Sequence, residues 1–258
     1  MNRKTKQILI IITYILITIS FLTFIYWIFF KPSCFDQKQN QGEEGVDCGG
    51  PCQRECLKFP EFKELEILET EIIPIEQGKY DVVAKMSNPN SKFGFNNIIY
   101  EIKLYKDKQE VCSSQGETYI LPDQQHYIVN PNIACPKEPN EVIINIQNKE
   151  PHEFKGIEKP KLEILNKDYN FPTQSTVFFE LNFQVANRSS YLFSKIDIMA
   201  VVKDRNGRII ASNRGDINHV KPGGVRDFRF FWPNQFEGNI TSVEVEARSD
   251  VFNLDNIE

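Results

Sequence analysis

The feature that most constrains this chain is the run from Ile8 to Phe30, which holds no charge, no proline and no glycine. As an α-helix at about 1.5 Å per residue it spans roughly 34 Å. A bilayer core is about 30 Å thick, so one slightly tilted pass fits. Helix is the form expected in lipid, because it satisfies its own backbone polar groups. A cleaved signal peptide is the competing reading. Its apolar region is shorter, about 7–15 residues, and is followed by small residues at the cut site. Here the run ends in Tyr26, Trp27, Ile28, Phe29 and Phe30, and aromatics suit a membrane–water interface. A lipoprotein site at Cys34 lacks the apolar residue expected before it, since Lys31, Pro32 and Ser33 precede the cysteine. Arg3, Lys4 and Lys6 stand before the run with no acidic residue among them. The positive-inside bias then places residues 1–7 in the cytoplasm, 8–30 in the membrane and 31–258 outside.

The whole chain carries 30 basic and 35 acidic residues. Removing Arg3, Lys4 and Lys6 leaves 27 against 35, a net charge of −8 beyond the span. That balance excludes the basic footprint of a nucleic-acid binder. All six cysteines follow the span, on the expected outer side, where disulfides form.

Cys34, Cys48, Cys52 and Cys56 lie within residues 31–59, a segment with few apolar side chains. It cannot build a core of its own, so crosslinks must hold it. Four cysteines allow three pairings, and sequence alone does not choose among them. A zinc site is the other reading, but the outward location and the lack of C-x2-C spacing speak against it. Asp36, Asn40, Glu43 and Asp47 are oxygen donors on this glycine-containing loop, and calcium takes 6–8 oxygens. They are the candidate calcium ligands. The other expectation for them is turns and caps around Gly42, Gly45, Gly49 and Gly50.

The pattern Cys34-x-Asp36…Asn40…Glu43…Val46-Asp47-Cys48-Gly49-Gly50-x-Cys52 resembles a short cysteine motif of bacterial and archaeal surface proteins. There it stands next to a membrane anchor or between β-domains, and no chemistry is firmly attached to it.

Beyond this neck, alternation with a period of two dominates, the sign of half-buried strands. Tyr80, Val82, Ala84 and Met86 form one such set, followed by Ile98, Tyr100, Ile102 and Leu104, and by Val142, Ile144 and Ile146. Residues 64–73 read as a first strand or a short helix, with Pro74 ending either. Later come Val177, Phe179, Leu181, Phe183 and Val185, then Ile196, Ile198, Ala200 and Val202. After the turn at Asp204–Gly207, Ile209 and Ile210 start a return strand. Phe228, Phe230 and Trp232, then Val243, Val245 and Ala247, complete the set. The halves overlay at an offset near 100 residues, with Met86-Ser87-Asn88 over Val185-Ala186-Asn187 and Pro122 over Pro222. The expected fold is mainly β: one transmembrane helix, a disulfide-rich neck, and two tandem immunoglobulin-like sandwiches at 60–153 and 160–258. Lys149 to Pro160 reads as the linker. Cys112 and Cys135 are placed to pair within the first sandwich.

The second sandwich resembles the small modules found after an anchor in bacterial envelope proteins, typified by the FxLYD group. Val185-x-Asn187-x-Ser189, Val201-Val202-Lys203-Asp204-x-x-Gly207 and Pro222-Gly223…Phe228-x-Phe230 carry the likeness. It implies an extracytoplasmic module without catalytic residues of its own.

No catalytic constellation stands out. His126, His152 and His219 lie in separate segments and read as solvated side chains. Gly-x-Ser-x-Gly, a phosphate-binding glycine loop and H-E-x-x-H are absent. The acidic residues of 61–71 read as a solvated strand face. Asn187-Arg188-Ser189 and Asn239-Ile240-Thr241 match glycosylation acceptors. Phe231 points outward beside Trp232, into an apolar contact patch or under a second packed sheet. The expectation is a non-enzymatic surface protein tethered in the membrane, without cofactor. Its sandwiches serve as a spacer or as a module binding an envelope protein or surface ligand. The alternative is an accessory subunit of an envelope secretion or pilus-type assembly.

Overall fold

The computed structural model describes residues 2–29, 34–40, 42–56, 62–173 and 176–257. Phe30 and Lys31–Ser33, where the apolar run ends and the lipoprotein site was weighed, lie outside these. So do 57–61, where the neck was expected to pass into the first sandwich. The chain forms two compact units, Met1–Glu61 and Phe62–Glu258.

In the first unit, helix α1 runs Arg3–Phe29. It is long and apolar enough to cross a membrane, with a mean hydropathy of 2.7 over its 18-residue apolar window. The hydroxyls of Thr13, Thr18 and Thr23 are satisfied within the helix. Thr13 and Thr18 donate to the carbonyls of Leu9 and Tyr14, each at 2.8 Å. Such back-bonding lets a hydroxyl sit on an apolar helix without an unmet polar group. The neck is held by two disulfides, Cys34–Cys52 and Cys48–Cys56.

The second unit contains the strands. β1 (Glu66–Glu76), β2 (Lys79–Ser87), β3 (Phe93–Lys106), β4 (Gln109–Ile120), β5 (Gln125–Ala134) and β6 (Glu141–Glu153) form one sandwich. Its sheets have the orders β1-β2-β5 and β4-β3-β6, all antiparallel. β7 (Leu162–Asn170), β8 (Phe179–Asn187), β9 (Phe193–Asp204), β10 (Ile209–Val220), β11 (Val225–Trp232) and β12 (Ile240–Arg248) form the other. Their orders, β11-β8-β7 and β10-β9-β12, repeat the first topology six strands later. Among the described residues each is an immunoglobulin-like sandwich of six strands, against the seven of a constant-type domain. A short 3-10 turn at Leu254–Asn256 closes the chain.

The expected inward sets do form the cores. Val82, Ala84, Met86, Ile98, Ile102 and Leu104 are buried together in the first. Phe179, Leu181, Phe183, Ile196, Ile198 and Trp232 are buried in the second. The Trp232 indole N–H donates to the Ser212 carbonyl at 2.9 Å. Cys112 and Cys135 are disulfide-bonded, tying β4 to the segment after β5.

Three expectations need correction. Pro74 does not end the first strand: β1 runs on to Glu76, with Pro74 opposite Tyr80. β1 is an edge strand, where a missing N–H costs no ladder bond if it faces outward. For the same reason β6, also an edge, continues through Pro151, opposite Phe95, to Glu153. Lys149–Glu153 are therefore strand, and the connection shrinks to 154–161. Finally, β7 lies where no strand was read. Its alternation is broken by a register shift between Leu165 and Asp168, with Asn166 at φ 50°.

Candidate binding site at the junction of the sandwiches

The two sandwiches are packed face to face. The outer face of β1-β2-β5 carries Ile73, Val83, Tyr127 and Val129, and that of β10-β9-β12 carries Met199, Val201 and Ile209. Together they make a third buried cluster, lying between the sandwiches. Four sheets are thereby stacked in one block.

Charged side chains ring this seam in complementary pairs. The Tyr127 backbone N–H donates to Glu246 Oε2 at 2.9 Å, and its hydroxyl to Glu244 Oε2 at 3.0 Å. Lys203 Nζ lies 3.4 Å from Glu69 and 3.3 Å from Glu244. Burial pushes the Tyr127 phenol up to about 12. Burial works against the Lys203 charge, but Tyr127 and the two carboxylates raise its pKa. Burial also raises the carboxyl of Glu246. Arg214 Nη1 donates to the Val129 carbonyl at 3.1 Å.

The far side of the seam is pinned by Arg248. It is 7% exposed, although it belongs to the last strand. Its Nη1 donates to Thr118 Oγ1 at 3.2 Å and to the Tyr119 carbonyl at 3.4 Å. The guanidinium carbon lies 4.9 Å from the Tyr119 ring centre, a cation–π contact. The Tyr119 hydroxyl donates to Asp197 Oδ2 at 3.3 Å. His126 Nε2 lies 3.4 Å from the same Thr118 hydroxyl. Burial, and then the Arg248 charge, hold the His126 imidazole well below its usual pKa. The histidine is neutral and inside, not solvated as its sequence context suggested, because the second sandwich covers its end of β5. His152 Nε2 contacts Asn96 Oδ1 at 2.9 Å, and His219 is exposed.

The connection between the sandwiches is packed down as well. Phe154 and Ile157 lie against the second core. Lys159 Nζ donates to the Pro122 carbonyl at 2.7 Å. Phe252 returns to Gly94, where an added Cβ would lie 2.3 Å from its ring. A glycine is needed there for the C-terminal segment to close on the first sandwich.

Two of the openings along the seam bear on its chemistry. One, of about 430 Å³, is polar and is lined by Tyr119, Asp197, Arg214 and Arg248. The other is larger, about 600 Å³, and draws on β1, the segment after β5, the β9–β10 turn and the β11–β12 loop. Ile73, Ile75, Tyr80, Ile209 and Phe236 give it an apolar floor, and Glu71, Glu138 and Glu237 an acidic rim. No sequence reading pointed to this seam. Its signal was the apolar residues at successive positions, Val82-Val83-Ala84 and Ile198 to Val202, which mark strands covered on both faces.

The calcium candidates lie in the neck. Asp36 Oδ1 accepts from the Lys38 N–H at 3.0 Å, and its Oδ2 from Asn40 Nδ2 at 2.9 Å. Glu43 Oε2 accepts from the N–H groups of Asn40 and Asp47 at 3.2 and 3.3 Å. Both Asp47 oxygens accept from the Gln37 N–H at 3.1 Å. The carboxylates thus act as caps on a strained loop in which Gln37, Asp47, Gly49 and Gly50 all have positive φ. Glu43 also lies close to the sulfurs of Cys34 and Cys52, but these form a disulfide and offer no thiolate. Of the two glycosylation matches, Asn187 is buried and Asn239 is exposed. Phe231 is 52% exposed.

No protein-family model matches the chain, and no curated protein matches it. Among solved structures, it is similar to a transglutaminase of red sea bream at 11% identity and a TM-score of 0.22. The likeness covers 72% of this chain and 29% of that one.

Proposed function

We propose that this is a single-pass, membrane-anchored extracytoplasmic protein. Its fused sandwiches form a rigid, non-catalytic binding module that follows the anchor and a crosslinked neck in the chain. The observation that carries this reading is the junction. Two modules of a simple spacer need only a flexible link, whereas here complementary charges and a buried apolar seam fix both sandwiches and form a groove between them. Further support comes from α1, with its length, its apolarity and the basic residues at its start. Six cysteines beyond α1, all paired, fit an oxidising compartment. The resemblance of the neck to the cysteine motif of surface proteins, and of the second sandwich to FxLYD-type modules, points the same way. A non-catalytic role is supported by Glu69, Asp197, Glu244 and Glu246, which are engaged in structural contacts at the seam, and by the buried His126.

The test is topology. With an epitope tag at each end, protease added to intact cells should remove the C-terminal tag and spare the N-terminal one, and carbonate washing should leave the protein in the membrane. A protected C-terminal tag, or release by carbonate, would overturn the reading.

The groove, built from both sandwiches, also favours the second reading, an accessory subunit docked on a larger envelope assembly. Crosslinking in native cells followed by mass spectrometry tests it: reproducible capture of one complex through groove residues is the expected result.

A further inference from the structure

The larger groove has a chemistry that selects its occupant. Its floor is apolar, with Pro74 and Pro136 beside Ile75 and Phe236. Its rim is acidic, and Glu71, Glu76, Glu138 and Glu237 outnumber the lining cation, Arg208. Glu76 pairs with Lys79, and the one lining cation, Arg208, lies 3.7 Å from Asp204. Among the described residues, Glu71, Glu138 and Glu237 have no ion-pair partner. Glu71 is in addition half-buried, and burial raises its carboxyl above the usual range against the opposing charge of Arg208. Three carboxylates without an ion pair, answered by one arginine that also faces Asp204, leave a deficit of positive charge around the apolar floor, in a chain whose outer part is already acidic.

We propose that this groove binds an extended polypeptide segment of a partner in which Lys or Arg alternates with apolar residues. The proposal deepens the binding-module reading and rests on it. A period of two places the cations on one face of the segment and the apolar side chains on the other. The apolar face meets Ile75, Pro136 and Phe236, and the basic face reaches Glu71, Glu138 and Glu237. A helix, about 10–12 Å across with its side chains, is too thick for a space of this volume over more than a turn. Strand addition to β1 is not part of the mode, because Pro74 interrupts its free edge. The groove exists only while the sandwiches stay packed, since Glu71 and Glu138 come from one and Glu237 from the other.

The test uses the full chain in lipid nanodiscs and fluorescence anisotropy of labelled peptides of about ten residues, with strictly alternating Lys-Val, Lys-Ser or Glu-Val. The Lys-Val peptide should bind saturably and weaken as salt rises. The variant E71Q/E138Q/E237Q should bind it about tenfold less tightly, the sum of a few exposed charge pairs. Ile75→Ser should also weaken it, and Glu117→Gln, outside the groove, should not. An unchanged thermal midpoint shows that the variants are folded. Equal binding of Lys-Ser and Lys-Val would reduce the effect to surface charge and overturn the proposal. So would preference for Glu-Val, unchanged binding by the triple variant, or no binding at all. Failure here with the topology intact leaves an anchored spacer, whereas failure of the topology test removes the outer module itself.

Discussion

Asn88 and Asn187, about 100 residues apart in the chain, hold the same post in their two sandwiches. The Asn88 Nδ2 donates to the carbonyls of Phe93 and Leu121 at 2.8 and 2.9 Å. The Asn187 Nδ2 donates to those of Tyr191 and Val220 at 2.8 and 3.0 Å. Each Oδ1 accepts the N–H two residues on, from Asn90 and from Ser189. Those residues in turn accept from Lys63 and Lys161, which lead into β1 and β7. One buried amide thus ties together three segments at the same corner of each sandwich.

Removing it takes away two bonds to carbonyls and one to an N–H, each worth about 1–3 kcal/mol, although the Leu121 carbonyl keeps the Gln124 N–H at 3.3 Å. Asn88→Ala and Asn187→Ala should each lower the stability of their own sandwich by about 3 kcal/mol in denaturant titration. A loss under about 1 kcal/mol would mean that water takes over the amide's bonds.

Val201 faces the other sandwich, not its own core. Val201→Glu would bury a charge with no partner in the seam, at a cost of several kcal/mol. The expected result is separation without unfolding. Trypsin should then cut faster at Lys155 or Lys161, exposed lysines on a backbone that the packed connection holds in place in the parent chain, while each sandwich stays intact. Loss of all structure in one transition would show that the sandwiches do not stand apart.

His126 gives the junction an acid limit. Its pKa is lowered in the folded state, so between that value and the unfolded value near 6.5 the unfolded chain binds the extra proton. Its contribution is therefore present above about pH 6.5 and is lost as pH falls below it. Asp81, Glu246 and Asp250, whose pKa values burial raises, act in the opposite sense and are relieved by acid. Thermal midpoints measured downward from pH 7 should fall first below about 6.5, and His126→Phe should remove that first fall. A parallel decline in the variant would assign it to other groups.

The Cys112–Cys135 bond closes a loop with a sequence separation of 23. In the chain-entropy model this is worth about 3 kcal/mol. Paired serine substitutions should lower the stability of the first sandwich by that amount and leave the second, which has no cysteine, unchanged.

In the neck, the carboxylates of Asp36, Glu43 and Asp47 already accept backbone N–H groups. Chelating calcium should therefore leave the neck's resistance to protease unchanged, whereas Gly50→Ala should abolish it. An added Cβ at Gly50 would lie 2.2 Å from the Gly42 carbonyl oxygen. Protection that disappears with chelator would instead assign these oxygens to a cation.

Much of the fold was legible because period-two alternation reports which face of a strand is buried. Tyr80 to Met86 and Ile196 to Val202 were read correctly for that reason. Alternation does not report what covers the other face. Lys203, Glu244 and Glu246 stand between the inward apolar positions, on the other face of their strands, yet they are the charged ring of the seam. His126 and Arg248 were opaque too, since each is buried by residues more than a hundred positions away. Pro74 and Pro151 misled because a proline ends a central strand but not an edge one. The groove, assembled from four separate segments, has no local pattern in the sequence.

The packed connection at 154–161 has a mechanical consequence. Two modules on a slack tether would swing, and a load on one would be absorbed by the tether. Here Phe154, Ile157 and Lys159 remove that slack, and the seam resists shear over two sheet faces. Tension or torque applied at the groove is therefore shared among the four stacked sheets, which act as one lever.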